Sequence, residues 1–172
     1  MKPPVWVWVW ITAMAIALAA FGCGGTPEPN FAKVTPTPMA QGQSWSGVYY
    51  NPIYGYLHMV EKDGTISGRW KRTDSSRWGE LSGTTNGNVF NFAWKEHQYG
   101  AIGPSADVKG TGVFVYKGGS EGIPELAGQY AIEGSDSIGD WHCVKQLNMK
   151  PDPTSINGDN PAEVPPTQDK WK

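Results

Sequence analysis

Five times between residues 46 and 141, a glycine stands two places before an aromatic ring: Gly47–Tyr49, Gly68–Trp70, Gly112–Phe114, Gly128–Tyr130 and Gly139–Trp141. An offset of two puts both residues on one face of a β-strand. The glycine leaves room there for a ring or a close-packed backbone. The intervals are irregular, which excludes a solenoid repeat. The flanking residues alternate as half-buried strands do. Ile66, Gly68 and Trp70 oppose Ser67, Arg69 and Lys71, and Phe90, Phe92 and Trp94 oppose Asn91, Ala93 and Lys95. Leu126, Gly128, Tyr130 and Ile132 oppose Ala127, Gln129 and Ala131. The ring-bearing face is therefore the inward one.

Turn residues connect these segments as neighbours. Asp63-Gly64 joins 55–62 to 65–72, Asn86-Gly87 joins 78–85 to 88–96, and Lys117–Ser120 follows 109–116. Asp-Gly and Asn-Gly are the strongest short hairpin signals. The remaining strands are expected at 45–50, 125–132 and 140–147, and no segment shows a helical period with caps. Eight short strands joined by hairpins predict an all-β fold, an up-and-down antiparallel β-barrel. Closure removes edges that would otherwise aggregate. A two-sheet β-sandwich is the alternative.

The phrases "SGVYYN", "TISGRW" and "NFAWK" resemble, in the same order, strand-and-turn phrases of the avidin and streptavidin family, and more loosely of the lipocalins. The resemblance covers about half of the domain and implies a small barrel. It does not carry over the family's biotin site. Asn51 can stand for the loop Asn that holds the ureido group, but Trp70 and Arg72 stand where the family has Tyr and Ser. Phe90 replaces the wall Trp, the Ser-x-Thr pair and the Trp before "SGQY" have no counterpart near "VKGTGVF", and no Asp follows Trp141 at the family's distance. The resemblance supports architecture and not biotin binding.

Both ends of the chain differ from this core. Lys2 precedes an apolar run from Val5 to Phe21, and small residues lead to Cys23. A charged start, an apolar core and a small-residue exit read as a secretory signal peptide over 1–22. A membrane-anchor helix at the short limit for a span is the other reading. "AFGC" resembles the lipobox of bacterial lipoproteins, with Gly22 and Cys23 matching and Ala20 and Phe21 departing from the common Leu and Ala/Ser. That resemblance implies cleavage before Cys23 and acylation of its sulfur and amine. Two or three acyl chains hold a protein stably where one does not. Gly24, rather than Asp, implies delivery to the outer membrane in a Gram-negative cell. The expected location is the cell envelope.

Residues 23–43, rich in Pro, Gly, Thr and Gln, read as a tether, and 149–172 as a disordered tail with a lone Trp171. The domain between them, 44–148, has the size of one modest core. The chain carries 14 basic and 16 acidic residues. Losing 1–22 removes only Lys2, so the mature charge is −3. That is no electrostatic footprint for nucleic acid or anionic lipid.

The candidate site is the ring set Tyr49, Trp70, Phe90, Phe92, Trp94, Phe114, Tyr130 and Trp141, with Arg72 at the end of its inward row. Such a set either lines a pocket for an apolar or sugar-like ligand or fills the lumen. An eight-stranded barrel is just wide enough for its own side chains or one small ligand. His58, His97 and His142 lack metal-ligand spacing, and Cys143 shares a face with Trp141 as a small buried thiol. No nucleophile motif or acid–base pair stands out, and no cofactor is implied. The four cations of "RWKRTDSSR" read as a solvated hairpin tip. The expectation is a lipid-anchored, non-catalytic envelope protein whose barrel binds a small ligand or a partner. A structural or adhesive protein with a solid barrel is the second expectation, and an enzyme the third.

Overall fold

A computed structural model describes residues 29–101, 106–118 and 122–158. Residues 1–28, with the signal segment and Cys23, and 159–172, with Trp171, lie outside the described residues. The fold is a closed antiparallel up-and-down barrel of eight strands. These are β1 (Gly47–Asn51), β2 (Gly55–Lys62), β3 (Thr65–Lys71), β4 (Arg77–Asn86), β5 (Val89–Gln98), β6 (Asp107–Gly118), β7 (Pro124–Ile132) and β8 (Ile138–Lys145). Each predicted strand is found within two residues of its expected ends. The seam is short: β1 meets β8 only at Tyr49–Lys145 and Tyr50–Val144, extended by the Gln146 amide on the Val48 carbonyl.

Asp63 and Gly64 take positive φ of 53° and 74°, closing Lys62 onto Thr65. Positive φ at both central positions is the type I′ geometry that matches strand twist. The second turn falls one residue later than expected. Asn86 pairs with Val89, so Gly87 and Asn88 form the loop, with Gly87 at φ 56°. The shift has a cause: Asn88 donates its amide to the Thr37 carbonyl, and its side chain accepts from the Thr37 amide, both at 2.8 Å. Any side chain at Gly87 would meet the Thr37 carbonyl oxygen at 2.2 Å.

The inward faces follow the alternation. Five inner rings lie over the glycine directly opposite on the next strand. Trp70 faces Gly79, Trp94 faces Gly110, Phe92 faces Gly112, Phe114 faces Gly128, and Tyr130 faces Gly139. A methyl on Gly79, Gly112, Gly128 or Gly139 would sit 2.1–2.5 Å from those rings. Rings therefore fill the narrow lumen by covering missing side chains. Trp45 and Tyr116 close the end where β1 begins, with Trp45 Nε1 donating to the Gly87 carbonyl.

Two flanking segments lie on the outer wall. From Pro29 on, the Pro-rich segment runs against β4–β7. The Ala32 amide donates to Gln129 Oε1, and outward-facing Val89 and Val113 are only 5% and 8% exposed, with Phe31 to Pro36 lining the same cleft. Beyond β8, residues 146–158 cross the outside of the early strands. Asp152 donates its amide to His58 Nδ1 at 2.9 Å, Arg69 donates to the Ile156 carbonyl, and Tyr99 to the Asn157 carbonyl. A turn of 3-10 helix, Pro153–Ser155, is capped by Asp152.

The His58 contact requires a neutral ring, because Nδ1 accepts. Burial lowers the His58 pKa from its usual value, and Asp152 opposes that only in part. A base with a depressed folded pKa binds more protons when released. Its contribution is present above the ordinary histidine pKa of about 6.5 and is lost as pH falls below it. Amide exchange at Asp152, corrected for intrinsic rate, is expected to speed up on acidification through that range while core β5 amides stay protected. An Asp152 protection factor independent of pH would contradict this.

Candidate functional site

The predicted ring set converges in the lumen. Tyr49, Phe90 and Phe114 are fully buried, and Trp70 and Trp141 are 2% exposed. Phe90, Phe92, Phe114 and Trp141 contact one another at centroid separations of 4.8–6.5 Å. Trp70 packs edge-on to Trp141 at 5.0 Å, and Trp94 on Tyr130 at 5.8 Å. Tyr49 sits nearer the opposite end, donating to the Trp45 carbonyl, and burial followed by Tyr116 drives its phenol pKa upward. The rings touch across the axis, so the lumen is a packed core. Cys143 lies in it as a free, buried thiol that burial pushes up to about 12.

Charge enters this core at one end. Glu96, 4% exposed, continues the inward row of Phe90, Phe92 and Trp94. Arg72 grips it with two bonds, Nε to Oε1 at 2.8 Å and Nη2 to Oε2 at 2.9 Å. Trp70 Nε1 donates to Oε1 at 3.3 Å, and Arg77 Nη1 lies 4.0 Å from Oε2. The Glu96 hydrogen bonds hold the Arg72 pKa above its usual value. Over the cluster sits Tyr54, from the β1–β2 turn. Its hydroxyl donates to the Tyr130 hydroxyl at 2.9 Å, its ring is 4.8 Å from Trp141, and the Arg72 guanidinium stacks 5.3 Å from it. Asn51 ties that turn down, accepting from the Ile53 and Tyr54 amides and donating to the His142 carbonyl. Trp141 Nε1 and Arg77 Nη1 are buried without a hydrogen-bond partner.

A groove of about 1040 Å³ opens on the outer wall. Its floor is a cross-strand row of small residues, Ser67, Ser82, Ala93, Thr111 and Ala131, in direct register. One wall is the next row up, Arg69, Glu80, Lys95 and Lys109, with Glu133 beside Lys109. Its cations are all paired: Arg69 with Glu80 at 3.5 Å, Lys95 with Asp107 at 2.8 Å, and Lys109 with Glu133 at 2.6 Å. Pro29, the β7–β8 loop at Gly134–Asp136, and Pro153–Thr154 frame the rest.

Sequence reasoning placed Tyr49, Trp70, Phe90, Trp94, Phe114, Tyr130 and Trp141 in one cluster, and the structure brings them together with Arg72 at its polar end. It missed the Tyr54 cap, which stands in a turn with no periodicity to betray it. It also missed the outer groove, whose floor exists only once five strands are in register. His58, His97 and His142 do not converge, and among the described residues no group of His, Cys, Asp or Glu is placed to hold a metal. Comparison with known proteins finds no matching family model, no matching curated protein and no matching solved structure.

Proposed function

We propose that this chain is a lipid-anchored envelope protein whose barrel is a solid, non-catalytic binding module, making its contacts through the groove on its outer wall. The packed lumen carries the second half of this reading: rings in mutual contact fill the space a small-barrel ligand would take, while the open volume lies outside. The anchor rests on the lipobox-like "AFGC" and the small-residue exit before Cys23. Against the catalytic alternative, the groove carboxylates Glu80 and Glu133 are paired with Arg69 and Lys109. Glu96 is spent on Arg72, and the Cys143 thiol is buried with a raised pKa.

One feature favours a second reading, a small ligand at the barrel mouth: two buried donors, Trp141 Nε1 and Arg77 Nη1, make no hydrogen bond. Intact-mass spectrometry of the protein extracted from its own membranes separates the two. The expected result is a chain beginning at Cys23 with diacylglyceryl and acyl mass added, no retained small molecule, and an unmodified precursor for Cys23→Ala. Equal acylation of the wild type and Cys23→Ala would remove the anchor. A retained small molecule lost in Tyr54→Ala would move the site to the mouth.

A further inference from the structure

We infer that the groove-bearing wall is the face the barrel lays on the bilayer, where it takes zwitterionic phospholipid headgroups; this rests on lipid attachment at Cys23. The first argument is length. Pro29 lines the groove, as Gly134–Asp136 do. Only Gly24 to Glu28 stand between it and Cys23. Six steps of fully extended chain span at most about 20 Å. The twelve-residue β6 is about 40 Å of strand and, at the usual tilt of barrel strands, rises about 30 Å along the axis. The leash is therefore shorter than the barrel, and it leaves from the groove wall. The far end cannot reach the membrane without the groove wall staying close to it. Such tethering turns a weak surface contact into an intramolecular one at high effective concentration.

The second argument is chemistry. At the same end, Ile132 and Ile138 flank the β7–β8 loop at 39% and 40% exposure. The wall of the groove carries both signs, and each cation is balanced by a carboxylate partner. A surface of that kind, on a mature chain of net charge −3, does not seek an anionic lipid. It matches a headgroup that carries both signs, with phosphate toward Lys95 and Lys109 and ammonium toward Glu80 and Glu133. The hydroxyls of Ser67, Ser82 and Thr111 on the floor supply donors to phosphate oxygens.

The test uses the full lipidated chain reconstituted in phosphatidylethanolamine–phosphatidylcholine vesicles. One fluorophore is attached at Ser135→Cys, beside the groove, or at Lys62→Cys, at the opposite end. Cys143 is buried and does not compete for the label. Quenching by a headgroup-nitroxide lipid is expected to be several-fold stronger at position 135 than at 62. It should persist when anionic lipid is added and drop in a Lys95→Ala, Lys109→Ala double variant. Equal quenching at both positions, or stronger quenching at 62, would overturn the orientation. Quenching at 135 unaffected by the double variant would overturn headgroup recognition. The mass of the reconstituted protein reports acylation separately, so a missing anchor is distinguished from a wrongly assigned face.

Discussion

Glu96→Ala is expected to cost about 2–4 kcal/mol, the largest loss of any single polar substitution in this barrel. Breaking a buried ion pair by removing one partner typically costs about 3–5 kcal/mol, because the other charge is left without compensation. Here the remaining charges are Arg72 and Arg77, whose side chains keep 30% and 26% exposure at the mouth. They can turn partly to water, which places the expectation below the fully buried range. The change also removes the acceptor of Trp70 Nε1. For a domain of this size, that loss corresponds to a fall of roughly 10–20 °C in the unfolding midpoint. Glu96→Gln keeps an acceptor for Trp70 and loses less. The double change Glu96→Leu, Arg72→Met is expected to recover part of the loss, since apolar replacement of both partners avoids the stranded charge. A midpoint for Glu96→Ala within a few degrees of wild type would show that the cluster is already well hydrated.

The barrel was readable because its signals are local. Alternation assigns each residue of a strand to a face, and Asp63-Gly64 or Gly87-Asn88 joins strands that are neighbours in sequence. Arg72 was legible as inward, two places beyond Trp70, whereas Glu96, two beyond Trp94, was not read so. That they meet was not legible. They stand on β5 and just beyond β3, and their pairing depends on registers the sequence does not print. The same limit hid the outer groove. Ser67, Ser82, Ala93, Thr111 and Ala131 are unremarkable one at a time, and become a floor only through four consecutive registers. Composition also says little about where the flanks lie. Pro, Thr and Gln describe a segment without its own core, but Asn88 and Gln129 hold Thr37 and Ala32 by the main chain, which composition does not report. What the barrel does is legible in neither the alternation nor the turns, since both serve closure.

Gly128 and Phe114 test whether that closure depends on ring-over-glycine pairs. The two residues face each other across β6 and β7. A Cβ at Gly128 would lie 2.3 Å from Phe114 Cδ1 and 2.5 Å from the Val113 carbonyl oxygen. Phe114 cannot swing aside easily, because Phe92 and Trp141 pack on it at 4.8 and 5.2 Å. Gly128→Ala is therefore expected to lose about 1–3 kcal/mol as overpacking, although alanine is intrinsically the better residue for an ordered backbone. Phe114→Ala is expected to lose about 3–5 kcal/mol through the cavity it leaves. The informative quantity is their coupling. With the ring gone, the added methyl still meets the Val113 carbonyl but no longer the ring, so the double variant should lose less than the sum of the singles. Chemical denaturation of all four proteins measures it. Strict additivity would mean that the glycine is tolerated by the strand and not required by the ring, and the recurrent Gly-x-aromatic pattern would then need a different cause.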